Sequence, residues 1–309
     1  MMKEWIDHYL NYLTNLKQYS KLTIKTYSND IEQFYLYCKK EAFDSYDQLT
    51  YPHVRGYIVF LHDHDLSNLS IRHHISVLRC FFAYLLENDV IKANPFALVS
   101  QPKITKKMPE FLYYDEFEAL IDSIDLSKPL GKRNRMIIEL MYATGLRVSE
   151  AINVKLADID FAQGLIVVKG KGGKTRYVPF NPICQQYMEE YIEDTRKELM
   201  ENRNEDHPYL FVNQYGGKIT ERGVYDMLKK VSLNSPLKKK VHPHMLRHTF
   251  ATHLLDQGAD IRIVQEMMGH ADLSSTQIYT HVTMDKLKKT YMSAHPLANK
   301  SPLKGKDKD

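Results

Sequence analysis

Six polar side chains, spread over more than a hundred residues, have the types needed to bind and break a phosphodiester. They fall in the stretches "ATGLRVSEA", "VKGKGGKTRYVPF", "HPHMLRHTFATHLL" and "MMGHADLSSTQIYTHV", and they are Arg147, Lys171, His244, Arg247, His270 and Tyr279. An arginine is charged at any working pH, and its planar guanidinium matches two oxygens of one phosphate. Arg147 and Arg247 could therefore neutralise one phosphodiester together.

Tyr279 is the candidate nucleophile of this set. The pKa of a tyrosine hydroxyl is ordinarily near 10, so attack requires a base or a strongly positive field around the phosphate. The other five residues would supply that field. Attack on a DNA phosphate would leave a phosphotyrosine and a free hydroxyl and would conserve the bond energy, so the sequence predicts no cofactor and no metal.

Lys171 lies in a glycine-rich turn between two predicted strands, where an ammonium at the tip of a hairpin can swing toward a leaving group. Taken alone, it could equally be a surface lysine. The stretch ends like a phosphate-binding P-loop, but that pattern requires glycine where Val168 stands. It also requires a helix where "RYVPF" indicates a strand, so the P-loop is rejected.

His244 and Arg247 are three residues apart, so on a helix both side chains emerge from one face and can converge on one ligand. Leu246, Phe250 and Leu254 form a different stripe that is available for the core. Helices are also predicted for "MIIELMYATGLRVSEAI" and through "ADIRIVQEMMGH", and three short strands with turns at "AQG" and "KGKGG" are predicted between them.

Residues 1–99 are predicted to form a bundle of about four helices. In "SIRHHISVLRCFFAYLLENDVIKANP" the apolar residues recur at alternating spacings of four and three, which is typical of a buried helix stripe. That stripe comprises Ile71, Ile75, Leu78, Phe82 and Leu85. The opposite face carries Arg72, His73, His74 and Arg79, which either meet phosphates or simply face solvent.

A basic linker is predicted at 100–112, where "SQPKITKKMP" has prolines near both ends, three lysines and no acid. It is either a solvated tether or a strap along a polyanion. The second predicted domain, 113–298, is mainly α with a small antiparallel sheet, and a polar tail follows at 299–309.

The overall composition excludes several classes of protein. The chain has 309 residues, 43% of them hydrophobic, and a net charge of only +4, so it is not disordered and any basic surface must be local. Glu4 and Asp7 interrupt the apolar core that a signal peptide needs, and no stretch has the length of a membrane span, so a cytoplasmic protein is expected. The widely spaced Cys38, Cys80 and Cys184 fit reduced thiols in a core.

The ordered set "TGLRVSE", "GKGGKTR", "HMLRHTFATHLL", "MMGHADLSSTQIYTHV" and "YMSAHPLA" resembles the tyrosine site-specific recombinases, in particular the bacterial Xer recombinases. The resemblance covers nearly the whole chain, and "FLYYDEFEALI" and "LGKRNRMIIELMYATGLRVSE" favour the XerC branch. It implies an N-terminal SAM-like core-binding domain and a catalytic domain that form a C-shaped clamp around DNA.

The resemblance also implies the roles of individual residues. Tyr279 would form a 3′-phosphotyrosine, Arg147, Arg247 and His270 would hold the phosphate, Lys171 would be the general acid and His244 the base or proton relay. Glu150 would support Arg147. Further candidate DNA contacts are Arg72, Arg79, Lys103, Lys106, Lys107, Lys174 and Arg176.

The partners implied by the resemblance are double-stranded DNA with a dif-like site, a second Xer recombinase in a heterotetramer, and a DNA translocase of the FtsK type. The reaction would resolve chromosome dimers. The segment after the nucleophile would dock on a neighbouring protomer through Met284, Leu287 and Tyr291, unless it folds back on its own domain.

Other functions remain as alternatives. A phage or mobile-element integrase, or a type IB topoisomerase, would use the same chemistry. A non-catalytic DNA-binding protein would need only the basic segments, including Lys229, Lys230, Lys238, Lys239 and Lys240. A zinc hydrolase is suggested by His244, His248 and His253, but HEXXH is absent and Arg247 would place a positive charge beside the metal.

Overall fold

The structure is a computed structural model, and it describes residues 2–104, 110–170, 175–201, 206–269 and 281–298, with side chains from 284 onward in the last range. The chain divides into two compact units, Met1–Lys107 and Met108–Asp309. The division falls inside the stretch predicted as a linker. Among the described residues, none of the helices combines the length and apolar character needed to cross a bilayer.

The first unit is the predicted helical bundle. Its helices are α1 (Met2–Asn15), α2 (Lys21–Lys40), α3 (Tyr51–Asp63) and α4 (Asn68–Glu87), with a 3-10 turn at Tyr46–Gln48. Ser20 and Ser67 cap α2 and α4, since each hydroxyl accepts the backbone N–H three residues later. The apolar stripe predicted on α4 is buried, which confirms that helix and the face it turns to the core.

The second unit is also mainly helical. Its helices are α5 (Tyr114–Asp122), α6 (Pro129–Thr144), α7 (Val148–Ala151), α8 (Pro182–Glu190), α9 (Arg196–Met200), α10 (Glu221–Asn234), α11 (Pro243–Asp256), α12 (Ile261–Met268) and α13 (His281–Ala294). A 3-10 turn lies at Leu156–Asp158, and a π turn at Tyr191–Thr195 joins α8 to α9. Residues 136–144 of α6 are all buried, so α6 is the centre of this unit, and α11 packs against it.

A small antiparallel sheet completes the second unit. Its strands are β1 (Ile159–Asp160), β2 (Leu165–Lys169) and β3 (Thr175–Pro179), in the order β1-β2-β3. The register of β2 and β3 pairs Leu165 with Pro179 and Lys169 with Thr175, so the two consecutive strands form an antiparallel pair. The predicted fold class, mainly α with a small antiparallel sheet, is confirmed.

The stretch "MIIELMYATGLRVSEAI", predicted to be helical, is interrupted at Gly145. There α6 ends with a left-handed residue, φ +60°, and α7 begins only at Val148. A Cβ on Gly145 would lie 2.3 Å from Cδ1 of Phe250, so a glycine is required both by the backbone and by the packing of α11. The break makes Arg147 the N-cap residue of α7.

The helix α13 folds back on its own unit, which is the second of the two alternatives that the sequence left open. Leu287 and Tyr291 are buried there beside Phe250 of α11. Asn181 donates a hydrogen bond to the Tyr291 hydroxyl at 3.3 Å and supports this packing. Cys80 is exposed rather than part of a core, whereas Cys38 and Cys184 are buried.

Candidate active site

Three arginines from distant parts of the second unit converge on Glu150 and on the carboxyl end of α12. Arg147 precedes α7, Arg176 lies on β3 and Arg247 lies on α11. Their guanidinium groups donate to the Glu150 carboxylate and to the carbonyls of residues 267–269. The fold therefore gathers three cations and one carboxylate from three sequence segments into one cluster at the end of α12.

Glu150 occupies the third position of α7 and closes its capping box. Oε2 accepts the backbone N–H of Arg147 at 2.8 Å, and Oε1 accepts Nη1 of the same residue at 3.1 Å. Burial alone would raise the pKa of Glu150, but the hydrogen bonds and charge of Arg176, together with those of Arg147, outweigh it and hold the pKa below its usual value. The carboxylate is therefore ionised at neutral pH.

Arg147 and Arg247 share the last carbonyls of α12. Arg247 Nη2 donates to the Met268 carbonyl at 2.6 Å, and Arg147 Nη2 donates to the Gly269 carbonyl at 3.2 Å. Helix carboxyl ends carry partial negative charge, so guanidinium groups are stabilised there. The Arg147 side chain keeps 41% of its surface exposed, and it is the member of the cluster best placed to meet an incoming anion.

Arg247 is almost buried, and its second bond runs from Nη1 to the Gly145 carbonyl at 2.6 Å. Burial lowers its pKa to about 10, and the neighbouring charge of Arg147 acts in the same direction, while Glu150 opposes both. The guanidinium therefore remains charged at neutral pH. Because Arg247 donates to the glycine that ends α6 and to the end of α12, it fixes the two backbone segments that flank the cluster.

Arg176 is placed differently from the DNA contact expected from the sequence. Its side chain is 7% exposed, and its Nη1 and Nη2 atoms donate to the two oxygens of Glu150 at 2.8 and 2.9 Å. Its Nε donates to the Met267 carbonyl at 2.9 Å. The physical reason for the correction is strand alternation: Arg176 and Val178 share the buried face of β3, so the side chain points into the protein.

His244 lies on the first turn of α11, where the sequence placed it, and its side chain is exposed. The turn is held by His242, whose Nδ1 accepts the Met245 N–H at 3.2 Å, and by Pro243 at the first helical position. Burial and the neighbouring His244 lower the pKa of His242, in keeping with a neutral ring that caps the helix. Sequence reasoning missed this cap, although a residue before Pro at a helix start is its usual signal.

Several predicted site residues lie outside the described part of the chain. They are Lys171, Lys174, His270 and Tyr279, together with Lys106 and Lys107 of the linker. The structure does fix the residues next to them. Gly269, whose carbonyl accepts a hydrogen bond from Arg147, immediately precedes His270, and β2 and β3 lie on either side of Lys171 in the sequence.

The candidate DNA contacts of the first unit have different surroundings. Arg79 donates from Nε to the Phe96 carbonyl at 3.1 Å and from Nη2 to the Val99 carbonyl at 2.8 Å, so it organises the chain after α4. Arg72 is half-buried, and Lys103 is exposed. His74, predicted on the outer face, is buried and pairs with Asp30.

The cluster has the composition of an anion-binding site. Three guanidinium groups and one carboxylate leave a net positive charge, and the planar fork of arginine is suited to phosphate oxygens. The zinc reading of the sequence gains no support here, because the described residues gather no group of three or more His, Cys, Asp or Glu side chains. The arrangement is suited to stabilising negative charge on a phosphodiester.

Comparisons with known families and structures agree with this chemistry. Residues 110–286 match the phage integrase family, and residues 6–89 match the phage integrase N-terminal SAM-like domain. The chain therefore belongs to the phage integrase family.

Within the family the chain is similar to the tyrosine recombinases called XerC. It is 44% identical to Tyrosine recombinase XerC of Oceanobacillus iheyensis over 96% of this chain and 97% of that protein. It is 41% identical to that of Bacillus subtilis over 97% of this chain and 98% of that protein. The crystal structure of XerH site-specific recombinase bound to palindromic difH substrate, in its post-cleavage complex, is 25% identical over 93% of this chain and 94% of that chain, with a TM-score of 0.67.

These similarities confirm the resemblance recognised in the sequence. The chain is a XerC-like tyrosine recombinase, an enzyme of site-specific DNA strand exchange. The expected pairing of a SAM-like domain with a catalytic domain is confirmed as well.

Proposed function

We propose that the arginine cluster binds the scissile phosphate and that Tyr279 attacks it. The Tyr279 hydroxyl oxygen forms a bond to phosphorus, the bond from phosphorus to the 5′ oxygen breaks, and a 3′-phosphotyrosine results. His244 accepts the tyrosine proton, and Lys171 gives a proton to the departing 5′ oxygen. The free 5′-hydroxyl of the partner duplex then attacks the phosphotyrosine and reseals the strand.

One observation carries this proposal. Arg147 and Arg247, a hundred residues apart in sequence, both donate to the last carbonyls of α12, at Gly269 and Met268. The next residue is His270, and Tyr279 follows nine residues later. Two cations able to stabilise the non-bridging oxygens thus lie at the start of the segment that carries the nucleophile. Such electrostatic stabilisation is usually the largest contribution to the rate.

The DNA is proposed to be a dif-like site, and the proposed outcome is resolution of chromosome dimers in the cytoplasm. The support is the 44% identity to proteins named XerC and the difH substrate of the XerH structure. We propose that the enzyme pairs with a second Xer recombinase on two such sites and is activated by a translocase of the FtsK type.

The two units are proposed to hold the duplex as a clamp, with Arg72, Lys103, Lys106, Lys107 and Lys174 among the contacts to the phosphate backbone. Such contacts displace counterions, so DNA affinity should fall steeply as salt rises. A binding constant that barely changes between low and physiological salt would contradict the clamp.

The test is a trapping assay on a duplex that carries a candidate dif site, with a nick placed so that the cleaved fragment diffuses away. Wild type should give a protein–DNA adduct that survives denaturation and the presence of a chelator, and Tyr279→Phe should give none. Lys171→Ala should cleave an ordinary phosphodiester slowly but should recover on a substrate with sulfur at the bridging 5′ position, because a thiolate leaves without a proton. An adduct formed by Tyr279→Phe would contradict the proposed nucleophile.

A further inference from the structure

We propose that Arg176 is a positioning residue for strand cleavage, which holds Glu150 and the end of α12 so that Arg147 is aimed at the phosphate. The inference rests on the proposed role of Arg147 as a phosphate ligand. Arg176 itself is 7% exposed, and all three of its side-chain nitrogen atoms donate to protein oxygens. It therefore acts through its neighbours rather than on the DNA.

The first connection runs through Glu150. Each oxygen of the carboxylate accepts one bond from Arg176 and one from Arg147: Oε1 from the two Nη1 atoms, Oε2 from Arg176 Nη2 and the Arg147 backbone. The two bonds from Arg176 are parallel and bidentate, which fixes the plane of the carboxylate. With the plane fixed, Nη1 of Arg147 is held in place, and the three bonds that its guanidinium donates to protein oxygens leave further N–H groups for a ligand.

The second connection runs through α12. Arg176 Nε donates to the Met267 carbonyl, and the backbone of Gly269 rests on the guanidinium. A Cβ on Gly269 would lie 3.1 Å from Cζ, Nε and Nη1 of Arg176, and φ is +65° there, so only glycine suits this close approach. Arg176 thereby connects β3 to the last turn of α12 and to Gly269, the residue before His270.

A lysine at this position would keep the charge but lose the geometry. Its single ammonium cannot span both Glu150 oxygens and the Met267 carbonyl, which three separate nitrogen atoms reach in the native protein. Arg196→Lys is the matched control. The Arg196 side chain is 8% exposed, and its Nε and Nη2 donate to the carbonyls of Tyr209 and His207 rather than to Glu150 or α12.

The experiment measures single-turnover cleavage of the duplex described above, at saturating enzyme, and DNA affinity separately. Arg176→Lys should lower the maximal rate about 10- to 100-fold, the scale expected when a catalytic group is displaced by about an ångström. DNA affinity should stay at the wild-type value. Arg196→Lys should cleave at the wild-type rate once the folded fraction has been corrected for.

A substrate with a methylphosphonate at the scissile position separates positioning from general loss of structure. It has a methyl group in place of one non-bridging oxygen, so less negative charge develops and the reaction depends less on Arg147. The defects of Arg176→Lys and Arg147→Ala should both shrink on it. A wild-type rate for Arg176→Lys, an equal loss in Arg196→Lys, or a defect that is unchanged on the methylphosphonate would each overturn the inference.

A measurement without DNA keeps the inference independent of the proposed chemistry. Amide hydrogen exchange at residues 267–269 should accelerate in Arg176→Lys and not in Arg196→Lys, because only Arg176 holds that turn. Unchanged exchange in Arg176→Lys would overturn the inference even if the adduct required Tyr279. Conversely, if wild type formed no adduct that depends on Tyr279, the proposed function would be rejected. The exchange measurement would still show whether Arg176 holds the end of α12 in place.

Discussion

Replacement of Glu150 by Gln should destabilise the second unit far more than the same change at Glu116. Both residues close a capping box, since Glu116 Oε2 accepts the Tyr113 N–H at 2.9 Å, and both pair with a distant cation. The cation of Glu116 is Lys239, at 2.6 Å, and that pair is partly exposed. Glu150 instead holds two arginines, one of them nearly buried.

The magnitude follows from that difference in burial. Removal of one partner from a buried ion pair leaves an uncompensated charge and costs about 3–5 kcal/mol, here at Arg176. Loss of a solvent-exposed pair costs about 1 kcal/mol or less. The pKa of Glu150 is depressed in the folded state, so the stability it contributes is present above its ordinary value of 4.5. The difference in unfolding free energy between wild type and Glu150→Gln should therefore be at its maximum at neutral pH and should decrease only as the pH falls below 4.5.

The assay is urea unfolding followed by circular dichroism, which reports both units. Trp5 is the single tryptophan and lies in α1, so its fluorescence follows the first unit and serves as an internal reference. Glu150→Gln should shift the transition of the second unit by several times the shift caused by Glu116→Gln. Equal shifts for the two variants would refute the claim that the arginine cluster depends on a buried carboxylate.

Three further predictions concern groups elsewhere in the second unit. Burial raises the pKa of Glu139 to about 7, so the stability that it contributes is present below pH 4.5 and is lost as the pH rises to 7. This loss amounts to about 3 kcal/mol of unfolding free energy. Glu139→Gln should remove this pH dependence in thermal unfolding measured across pH. Burial lowers the pKa of His295 to about 3, so the free energy of unfolding falls as the pH drops below 6.5, by about 2 kcal/mol at pH 5. His295→Gln should abolish this loss of stability. If the variant kept the loss, the group responsible would not be His295. Gly145→Ala should cost about 1–2 kcal/mol for the left-handed backbone and about 1–3 kcal/mol more for overlap with Phe250. Gly258→Ala, with φ +84° and no atom within 4 Å of its Cβ, should show only the first cost in chemical unfolding.

Much of this architecture could be predicted from local patterns. The stripe on α4 has a helical period, and β2 and β3 are short β-rich runs on either side of a glycine-rich stretch of the sequence, so the type of each segment could be predicted locally. The spacing of three residues predicts that His244 and Arg247 share one face of a helix, and both lie on α11. The family was recognised because the order of several short motifs is specific even though each one is weak.

The partners of charged residues could not be predicted in the same way, because periodicity says which way a side chain points but not what it meets. Arg176 is in phase with the buried Val178, and this alternation was the available signal that it faces inward. Its acceptors, Glu150 and Met267, lie 26 and 91 residues away. The helical period likewise predicts Arg79 on the polar face of α4. Its acceptors are the carbonyls of Phe96 and Val99, and their position beside α4 is visible only in the folded chain.

The carboxylate of Glu150 explains how three guanidinium groups can share one small site before any phosphate arrives. Arg247 already shows the strain of this arrangement, since burial and the charge of Arg147 depress its pKa. Glu150 and the negative end of α12 supply the compensating charge, and they do so along the edges of the guanidinium groups that face the protein. The bonds to the protein therefore do not exhaust the donors of Arg147, the most exposed member. A site built in this way holds its positive charge in a fixed geometry, and fixed charges stabilise a transition state without the cost of reorganisation during the reaction.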